Sequence, residues 1–511
     1  MHNLFLAFAA LIAAGAAPAQ VLTAQYANSR IGATLTETTL TPANVNPAHF
    51  GKTFSYAVDG DVYAQPLYVP GVEIPGKGRH DVVFVATEHD SVYAFDAAGV
   101  PAEPLWRVSL VKPGETTVSA RDVQCPFVQP EIGITPTPVI DLATGTLYVL
   151  ARSKTRGGAL TMGQFFHTLH ALAITTGAEK FGGPVRIQAE GFDGQRELPR
   201  AALLLAGAQI YLTWGSSCDV GPYHGWVIAY DARTLMQTGA FNTSPQAGLS
   251  GIWQSDNGPA ADEQGNVYVA TGNGKFTVAG GGRDYGDSLL KLHLDRGGLN
   301  VVDYFTPADQ RMMEQRDDDL GSGGPILIPP QQGSPPLVLI GGKDGNLYVL
   351  DRDRLGKYRP GSDAQGRQVI RFRGGIYSAP AYWNSHVYIM TGGDYLSDLP
   401  FTNGKLAEKP RALGGRFGNP GATPAISANG AKNGIVWMIE TKSWNGADRA
   451  AILHAYDAAN VARELFSSEQ NSPRDHAGIA CRFTIPLIAG GRVYVPVKRA
   501  VNVYGLFGPA L

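Results

Sequence analysis

The sequence has little charge and little cysteine for its length. Charged residues make up 17% of the 511 residues, and the formal net charge is −2. No basic stripe with interleaved aromatic residues occurs, so the charge pattern gives no indication of a nucleic-acid partner. The three cysteines, Cys125, Cys218 and Cys481, are an odd number, so at least one thiol is unpaired within the chain. Neither a C-x-x-C-H haem motif nor the paired cysteines of a zinc site are found.

The sequence also lacks a long apolar run. The apolar run from residue 4 to residue 16 is too short to span a bilayer, and Ala17-Pro18-Ala19, with the A-x-A form of a cleavage site, follows it. We therefore predict a signal peptide at residues 1–19 and no membrane span. The mature protein is then expected to be periplasmic or secreted.

Glycine and proline are abundant, with 63 and 34 residues, a composition typical of short strands joined by tight turns. A unit recurs along the chain. It has a first strand that often carries proline near its start, a second strand after a turn, a third strand that often ends in Asp, and a variable outer strand. The eight first strands start near Gln65-Pro66, Thr137-Pro138, Arg200, Gly258-Pro259, Gly324-Pro325, Ala379-Pro380, Thr423-Pro424 and Ile485-Pro486.

Seven third strands are clear, and the sixth unit has no obvious copy; the seven lie at residues 93–96, 170–173, 228–231, 290–295, 348–351, 454–457 and 502–505. Repeats of this kind predict an all-β fold, an eight-bladed β-propeller of four-stranded blades over residues 51–511. Residues 53–59 are expected to supply the last strand of blade eight, which closes the ring and removes a free sheet edge. Residues 20–50 are predicted to form an N-terminal arm across the outside or bottom of the ring.

The polar corners of the repeats are expected to share one face. The loop that enters the first strand and the turn between the second and third strands lie on the same side of each blade, because the chain reverses at every turn. These segments hold Cys218, Asp219, Asn273 and Lys343. Propeller corners need Gly, Asn and Asp for backbone reasons alone, but their concentration on one face favours a shared site.

Several of these segments resemble a known family. The strand endings of the form A-x-D, with Thr-Gly following in ALAITTGAEKF, are similar to the repeat of pyrroloquinoline quinone (PQQ) proteins. Blades three to five resemble the quinoprotein alcohol dehydrogenases, whose fold is an eight-bladed propeller. The segments concerned are GSSCDVGPYHGWVIAYD, GGIWQSDNG, ATGNG, TPADQRMMEQRDDDLGSGGP and GGKDGNLYVLDRD. The resemblance implies PQQ and Ca²⁺ as cofactors and an alcohol or related compound as substrate.

The resemblance also implies roles for individual residues. Trp253 is expected to stack on the quinone, and Lys343 to contact it and assist catalysis. The catalytic acid lies among Asp317, Asp318 and Asp319, of which we assign Asp318 and Asp319. The residues expected to bind the metal are Asp219, Asn273 and Asp318. Cys125 stands where many members have a vicinal cysteine pair, and Glu131 near an expected arginine; both are assigned to cofactor contact.

The chemistry of these residue types agrees with such a site. Ca²⁺ prefers hard oxygen ligands, a nearby carboxylate can take the proton of an alcohol, and an indole face suits a flat ring. Each of these residues can also be explained by a structural role alone. Asn273 lies between two glycines, as turn residues do, and Lys343 precedes a turn. Residues 317–319 could form a solvated acidic loop, and Trp253 could cap a blade. Cys125 and Cys218 could form a disulfide that links adjacent blades.

Three functions follow from these patterns. The first is an exported PQQ- and Ca²⁺-dependent dehydrogenase that acts on a small molecule and needs a separate electron acceptor, since no haem motif is present. The second is a non-catalytic propeller that binds protein or glycan in the cell envelope, which would explain the altered cysteine pair. The third is a metal-assisted lyase or hydrolase that acts on an envelope polymer, a polysaccharide, over the same face.

Overall fold

The computed structural model describes residues 19–157, 163–441 and 448–508. Its strands form eight sheets arranged as the blades of a propeller, which confirms the predicted fold class. Blades 1 to 4 contain the strands Leu67–Ile74, Gly78–Ala86, Ser91–Asp96 and Trp106–Ser109; Val139–Asp141, Thr146–Thr155, Phe165–Ala173 and Val185–Arg186; Leu204–Ala206, Gln209–Ser216, Trp226–Asp231 and Gln237–Asn242; and Ala260–Ala261, Val267–Ala270, Leu289–Asp295 and Gly298–Thr306.

Blades 5 to 8 follow the same order. Their strands are Ile326–Ile328, Leu337–Gly341, Asn346–Asp351 and Gln368–Arg371; Ala381–Trp383, His386–Ile389, Tyr395–Thr402 and Ala412–Arg416; Ala425–Asn429, Lys432–Glu440, Ile452–Asp457 and Glu464–Ser467; and Leu487–Ala489, Arg492–Val497, Ala500–Leu506 and Phe50–Ala57. The third strand of blade 6, which the repeat pattern did not reveal, ends in Thr402 and so lacks the usual Asp.

Short additional elements decorate the blades. The strands Glu115–Ser119 and Glu131–Ile132 extend blade 2, Glu197–Leu198 extends blade 3, Lys357–Tyr358 joins blade 4, Lys405–Leu406 joins blade 6, and Ala33–Thr34 runs parallel to the inner strand of blade 7. The helices are Gln310–Arg316 and Ser472–Asp475, with 3₁₀ turns at Ala24–Tyr26 and Val278–Gly280. The predicted signal peptide, apart from Ala19, lies outside the described residues. None of the helices in the described ranges is long and apolar enough to cross a membrane.

The blades pack face to face, and side-chain alternation explains why. In blade 5, Leu337 and Leu339 pack towards blade 6, whereas Val338 and Ile340 pack towards blade 4. Successive residues of a strand point to opposite faces of a sheet. This blade is buried on both faces by its two neighbours, so its second strand, Leu337–Gly341, is buried and apolar at every position rather than at every second one.

The ring is closed by a strand from the N-terminal side, as predicted. Phe50–Ala57 pairs antiparallel with Ala500–Leu506 and becomes the outer strand of blade 8. Tyr56 on this strand is fully buried, and its hydroxyl donates a hydrogen bond to the carbonyl of Asp96 in blade 1. Its ring also stacks on Phe95, with the ring centroids 4.3 Å apart. The closing strand therefore connects the first and last blades.

Residues 19–36, which we call the axial segment, lie against the inner strands rather than across the outer surface of the ring. Their backbone carbonyls accept hydrogen bonds from amides in six blades, namely those of Tyr68, Ile140, Ala261, Leu327, Tyr382 and Ile426. Asn28 donates to the carbonyl of Leu205 in blade 3, and the amide of Ile488 in blade 8 donates to the Tyr26 hydroxyl. The segment therefore contacts every blade.

Arg30 anchors the axial segment. Its side chain is fully buried, and the guanidinium donates to the carbonyls of Pro259 at 2.9 Å, Ala24 at 2.8 Å and Leu203 at 3.0 Å. A fourth bond, of 2.7 Å, reaches Thr23 Oγ1. A buried charge of this kind is tolerated because its donors are satisfied by oxygen atoms.

Replacing Arg30 by Met should therefore destabilise the ring. The variant leaves three buried carbonyls without a donor, and we expect the free energy of unfolding to fall by roughly 3 kcal/mol. Denaturant unfolding followed by circular dichroism measures this loss. The control is Arg354→Met, at an exposed arginine, which should change the stability by less than about 0.5 kcal/mol. Equal effects of the two variants would contradict a structural role for the axial segment.

Candidate active site

Loops from several blades surround a cavity of about 280 Å³. Its wall combines the segments that enter blades 2, 3, 4, 5, 6 and 8 with the corners between the second and third strands of blades 3 and 5. Of the residues that the sequence assigned to a site, the wall contains Cys125, Asp219, Trp253, Asp319 and Lys343, together with Asp317. These residues come from widely separated parts of the chain, and the propeller brings them together.

Lys343 forms a cluster with two acids. Its Nζ lies 2.5 Å from Asp319 Oδ2 and 2.9 Å from Asp317 Oδ2. The Asp319 side chain is 4% exposed, whereas that of Asp317 is 55% exposed. Asp319 therefore lies at the inner side of the cluster, where water screens its charge least.

For both Asp319 and Lys343, burial and the ion pair shift the pKa in opposite directions. Burial raises the pKa of Asp319 to about 6, and the charge of Lys343 offsets part of this increase. For Lys343, burial acts to lower the pKa, but the charges of Asp319 and Asp317 outweigh it and hold the pKa above its ordinary value. Lys343 thus remains a cation near neutral pH, beside a carboxyl group whose pKa suits proton exchange.

Asn273 does not line the cavity but adjoins this cluster. Its backbone amide donates to Asp319 Oδ1 at 2.7 Å, while its side-chain oxygen is buried without a hydrogen-bond partner in the part of the chain that the structure describes. Buried polar atoms normally have partners. An unpartnered amide oxygen beside a carboxylate is the kind of group that binds a cation or a bound molecule.

Asp219 lies in the corner between the second and third strands of blade 3, in a left-handed backbone conformation with φ of 55°. Its Oδ1 accepts a hydrogen bond of 2.8 Å from the hydroxyl of Tyr223. Burial raises its pKa above the ordinary value of an aspartate. The residue contributes a third carboxylate to the cavity wall, after those of Asp317 and Asp319.

Oxygen donors in and beside the cavity wall are of a kind that fits a hard cation. The carboxylates of Asp219 and Asp319 and the free amide oxygen of Asn273 are ligands of the type that Ca²⁺ prefers. Within the described ranges, no group of three or more His, Cys, Asp or Glu residues is arranged to hold a metal ion. Further oxygen atoms would have to come from the bound molecule.

Trp253 rests on glycine backbone. A Cβ atom added at Gly272 would lie 2.5 Å from Trp253 Nε1 and 2.2 Å from Asp319 Oδ1, and one at Gly215 would lie 3.0 Å from Trp253 Cε3. At Gly272 a side chain would fit only if Asp319 or Trp253 moved, and at Gly215 the contact is tight. The glycines therefore let the indole approach the backbone while it still lines the cavity, where it offers an aromatic surface to a flat ligand.

Cys125 and Cys218 form a disulfide bond, one of the alternatives left open by the sequence. The bond connects the segment that enters blade 2 with a corner of blade 3, across 93 residues of sequence, and both cysteines line the cavity. Cys481 is a buried free thiol. The cavity wall therefore contains a disulfide between distant residues rather than a vicinal pair.

Two residues assigned from the sequence point elsewhere. Asp318 lines a neighbouring groove with Asp344 and Arg371 rather than this cavity. The helix Gln310–Arg316 ends at Asp317, which adopts a left-handed conformation, and residues 317 and 319 then face the cavity while residue 318 faces away. Glu131 also lies outside the wall. Its carboxylate binds His89 at 2.9 Å and Thr117 at 2.8 Å.

Sequence reasoning missed part of the wall. Arg200, Arg482, Phe127, Phe483 and Tyr377 all line the cavity. The two arginines lie in segments that enter blades 3 and 8, just before the first strands. In the sequence, only their position directly before the start of a repeat indicated that they could lie at the site. Nothing else in the residue pattern distinguishes them from the other arginines.

The glycine at position 272 provides a direct test of this geometry. Gly272→Ala should force Asp319 and Trp253 apart, because its methyl group would overlap both, and we expect a loss of about 1–3 kcal/mol in unfolding free energy. Gly280→Ala is the control in the same corner, since a Cβ there meets no atom within 4 Å. Denaturant unfolding of both variants measures the difference. A Gly272→Ala variant as stable as Gly280→Ala would show that the approach of Trp253 and Asp319 is looser than described.

The fold is shared with known proteins. A quinohaemoprotein alcohol dehydrogenase from Pseudomonas putida superposes with a TM-score of 0.60 at 15% identity, covering 96% of this chain and 81% of the other. A europium-containing methanol dehydrogenase gives a TM-score of 0.59 at 14% identity, covering 94% and 90%. Sqt1 of Saccharomyces cerevisiae gives 0.51 at 9% identity, covering 90% and 99%.

At the level of sequence, no family model matches the chain and no curated protein matches it. The identities to the solved structures are low, so these likenesses establish the fold and leave the activity to be tested. The resemblance noted in the repeat is nevertheless confirmed in three dimensions over nearly the whole chain. The structural neighbours of this chain include a quinohaemoprotein alcohol dehydrogenase and a methanol dehydrogenase, and the chain, an eight-bladed propeller, shares their fold.

Proposed function

We propose that this chain is an exported quinoprotein dehydrogenase that binds PQQ and Ca²⁺ and oxidises an alcohol or a related small molecule. One observation carries the proposal. A single cavity is lined by an indole, a disulfide and the buried pair of Asp319 and Lys343. Three kinds of group needed for this chemistry, a stacking surface, a cation and a carboxyl base, thus lie within reach of one small molecule.

The chain's residues would hold the cofactors as follows. Trp253 offers its face to a flat ring system, and Lys343 offers a cation to a ring oxygen. The oxygens of Asp219 and Asn273 would bind Ca²⁺. When bound, the quinone supplies the electron acceptor, and the ion draws electron density from its carbonyl group.

Asp319 would act on the substrate. With a pKa of about 6, it is largely deprotonated at neutral pH and can accept the proton of a substrate hydroxyl group. Lys343 holds the carboxylate in place through its contact of 2.5 Å with Oδ2. Apolar wall residues such as Phe127, Val128 and Leu198 limit the access of water. The electrons would then pass to a separate acceptor protein, because the sequence contains no haem motif.

Cofactor binding is the first test. The mature chain, purified from residue 20, should bind PQQ in the presence of Ca²⁺, with a quinone absorption band and reduction of an artificial electron-acceptor dye on addition of alcohols. Asn273→Ala removes the free amide oxygen and should weaken Ca²⁺-dependent PQQ binding by at least about tenfold. Failure of the wild-type chain to bind PQQ at high concentration would overturn the proposal.

The acid of the site is tested by two neighbouring substitutions. Asp319→Asn should retain PQQ but lower the rate of dye reduction by about 10² to 10⁴-fold, the usual contribution of a general base. Asp318→Asn is the matched control, because that side chain faces the neighbouring groove, and its rate should stay within about twofold of the wild type. Steady-state kinetics with the PQQ-saturated variants distinguish the two residues. Equal losses in both variants, or in neither, would contradict the assignment of Asp319.

A second candidate is a non-catalytic propeller that binds protein or glycan in the cell envelope. The disulfide between distant residues and the hydrogen bond from Tyr223 to Asp219 favour it. Both contacts give Cys125 and Asp219, which the sequence assigned to the cofactor and the metal, a purely structural role. Under this alternative the wild-type chain does not bind PQQ, and Asn273→Ala leaves its properties unchanged.

A further inference from the structure

Two buried polar side chains contact the segments that carry Asn273 and Asp319. Asp287, in the corner between the second and third strands of blade 4, is 0% exposed, and Gln310, the first residue of the helix Gln310–Arg316, is 5% exposed. Neither side chain belongs to the wall of the cavity. The side-chain amide of Gln310 donates to Asp287 Oδ2 at 3.3 Å, and we call the two residues the support pair.

The support pair holds the backbone on both sides of Asn273. Gln310 Nε2 donates to the carbonyl of Gly274 at 2.6 Å, and the backbone amide of Asp287 donates to the carbonyl of Gly272 at 2.9 Å. The side-chain oxygen of Asn273 has no hydrogen-bond partner of its own in the described residues. The position of this oxygen therefore depends on the backbone that the support pair holds.

The same pair holds the segment that carries Asp319. Asp287 Oδ1 accepts a hydrogen bond of 3.3 Å from the amide of Leu320, the residue after Asp319. Gln310 begins the helix whose C-terminal end leads directly into residues 317–319. Hydrogen bonds have a preferred direction, so these contacts restrict how the two segments can be oriented. The blade 4 corner and the segment that enters blade 5 are thus connected through one buried carboxylate and one buried amide.

We propose that Gln310 and Asp287 are positioning residues, which hold the Asn273 amide oxygen and the Asp319 carboxylate at a fixed separation. Neither residue lines the cavity, so both act through the groups that they hold. Partners of this outer kind typically change metal affinity or activity by about 10- to 100-fold when they are removed. The roles of the held groups, a Ca²⁺ ligand and a base, rest on the proposed function, whereas the positioning itself does not.

The first test needs no cofactor. Gln310→Met removes the amide donor at similar side-chain length, and Gln315→Met is the matched control at an exposed glutamine of the same helix. In hydrogen exchange followed by mass spectrometry of the ligand-free mature chain, the amides of Asn273 and Leu320 should exchange at least about tenfold faster in Gln310→Met. Gln315→Met should exchange like the wild type, and thermal unfolding shows whether each variant is folded. Equal exchange in Gln310→Met and the wild type would overturn the positioning.

The second test uses the chain with PQQ and Ca²⁺. Gln310→Met should raise the Ca²⁺ concentration needed for half-maximal PQQ binding by about tenfold and lower kcat by about 10- to 100-fold. The KM for the alcohol should stay within about threefold of the wild type, because the support pair does not line the cavity. Asp287→Asn retains an oxygen for the Leu320 amide, so it should keep more of the kcat than Asp287→Ala.

The two tests separate the positioning from the proposed function. If the wild type binds no PQQ, the proposed function fails, and faster exchange in Gln310→Met still supports the positioning. If the exchange is faster in Gln310→Met but its Ca²⁺ dependence and kcat equal those of the wild type, the support pair does not position groups of the reaction. A rise in KM with unchanged kcat would contradict the proposal in the same way.

Discussion

The inner strands of the eight blades surround the axis of the ring, and each has an edge that no further strand of its blade covers. An unpaired buried amide lowers the free energy of unfolding by roughly 1–3 kcal/mol, so unpaired amides at these edges would weaken the ring. The carbonyls of the axial segment accept hydrogen bonds from the inner strands of six blades, and Asn28 and Tyr26 contact the other two blades. Together with the strand Phe50–Ala57, it makes the N-terminal part of the chain a component of all eight blades.

A closed ring matters to the site because the site consists of loops. Each loop is fixed at the end of a buried strand, so the distance between side chains from different blades depends on the rigidity of the ring. The contacts between Lys343 of blade 5 and Asp319 before that blade, and between Asp319 and the Asn273 amide of blade 4, are examples. Catalytic and binding groups need this kind of support from rigid elements.

The cavity wall carries both acidic and basic side chains. The wall combines carboxylates paired with Lys343, the guanidiniums of Arg200 and Arg482, and aromatic side chains. Clefts that bind small molecules typically combine apolar and aromatic walls with a few polar groups that orient the ligand. The disulfide between Cys125 and Cys218 adds a covalent connection between two of the loops.

Local patterns in the sequence determined the architecture. The apolar strands of the repeats, most of them with a proline near the first strand, specified the number of blades, and the incomplete last repeat indicated that a strand near residue 53 closes the ring. The polar corners likewise indicated which loops would meet, and Asp219, Trp253 and Lys343 do lie in one wall. These features are local, since strand period and turn chemistry depend on neighbours in the chain.

Tertiary structure alone decided which of the adjacent residues face the cavity. Asp318 and Asp319 are equivalent in the sequence, and the left-handed Asp317 at the helix end turns only one of them inwards. The pairing of Cys125 with Cys218 spans 93 residues, and Arg200 and Arg482 meet around Phe483 only because blades 3 and 8 both border the axis. Such contacts depend on the closure of the whole ring, and no local pattern contains that information.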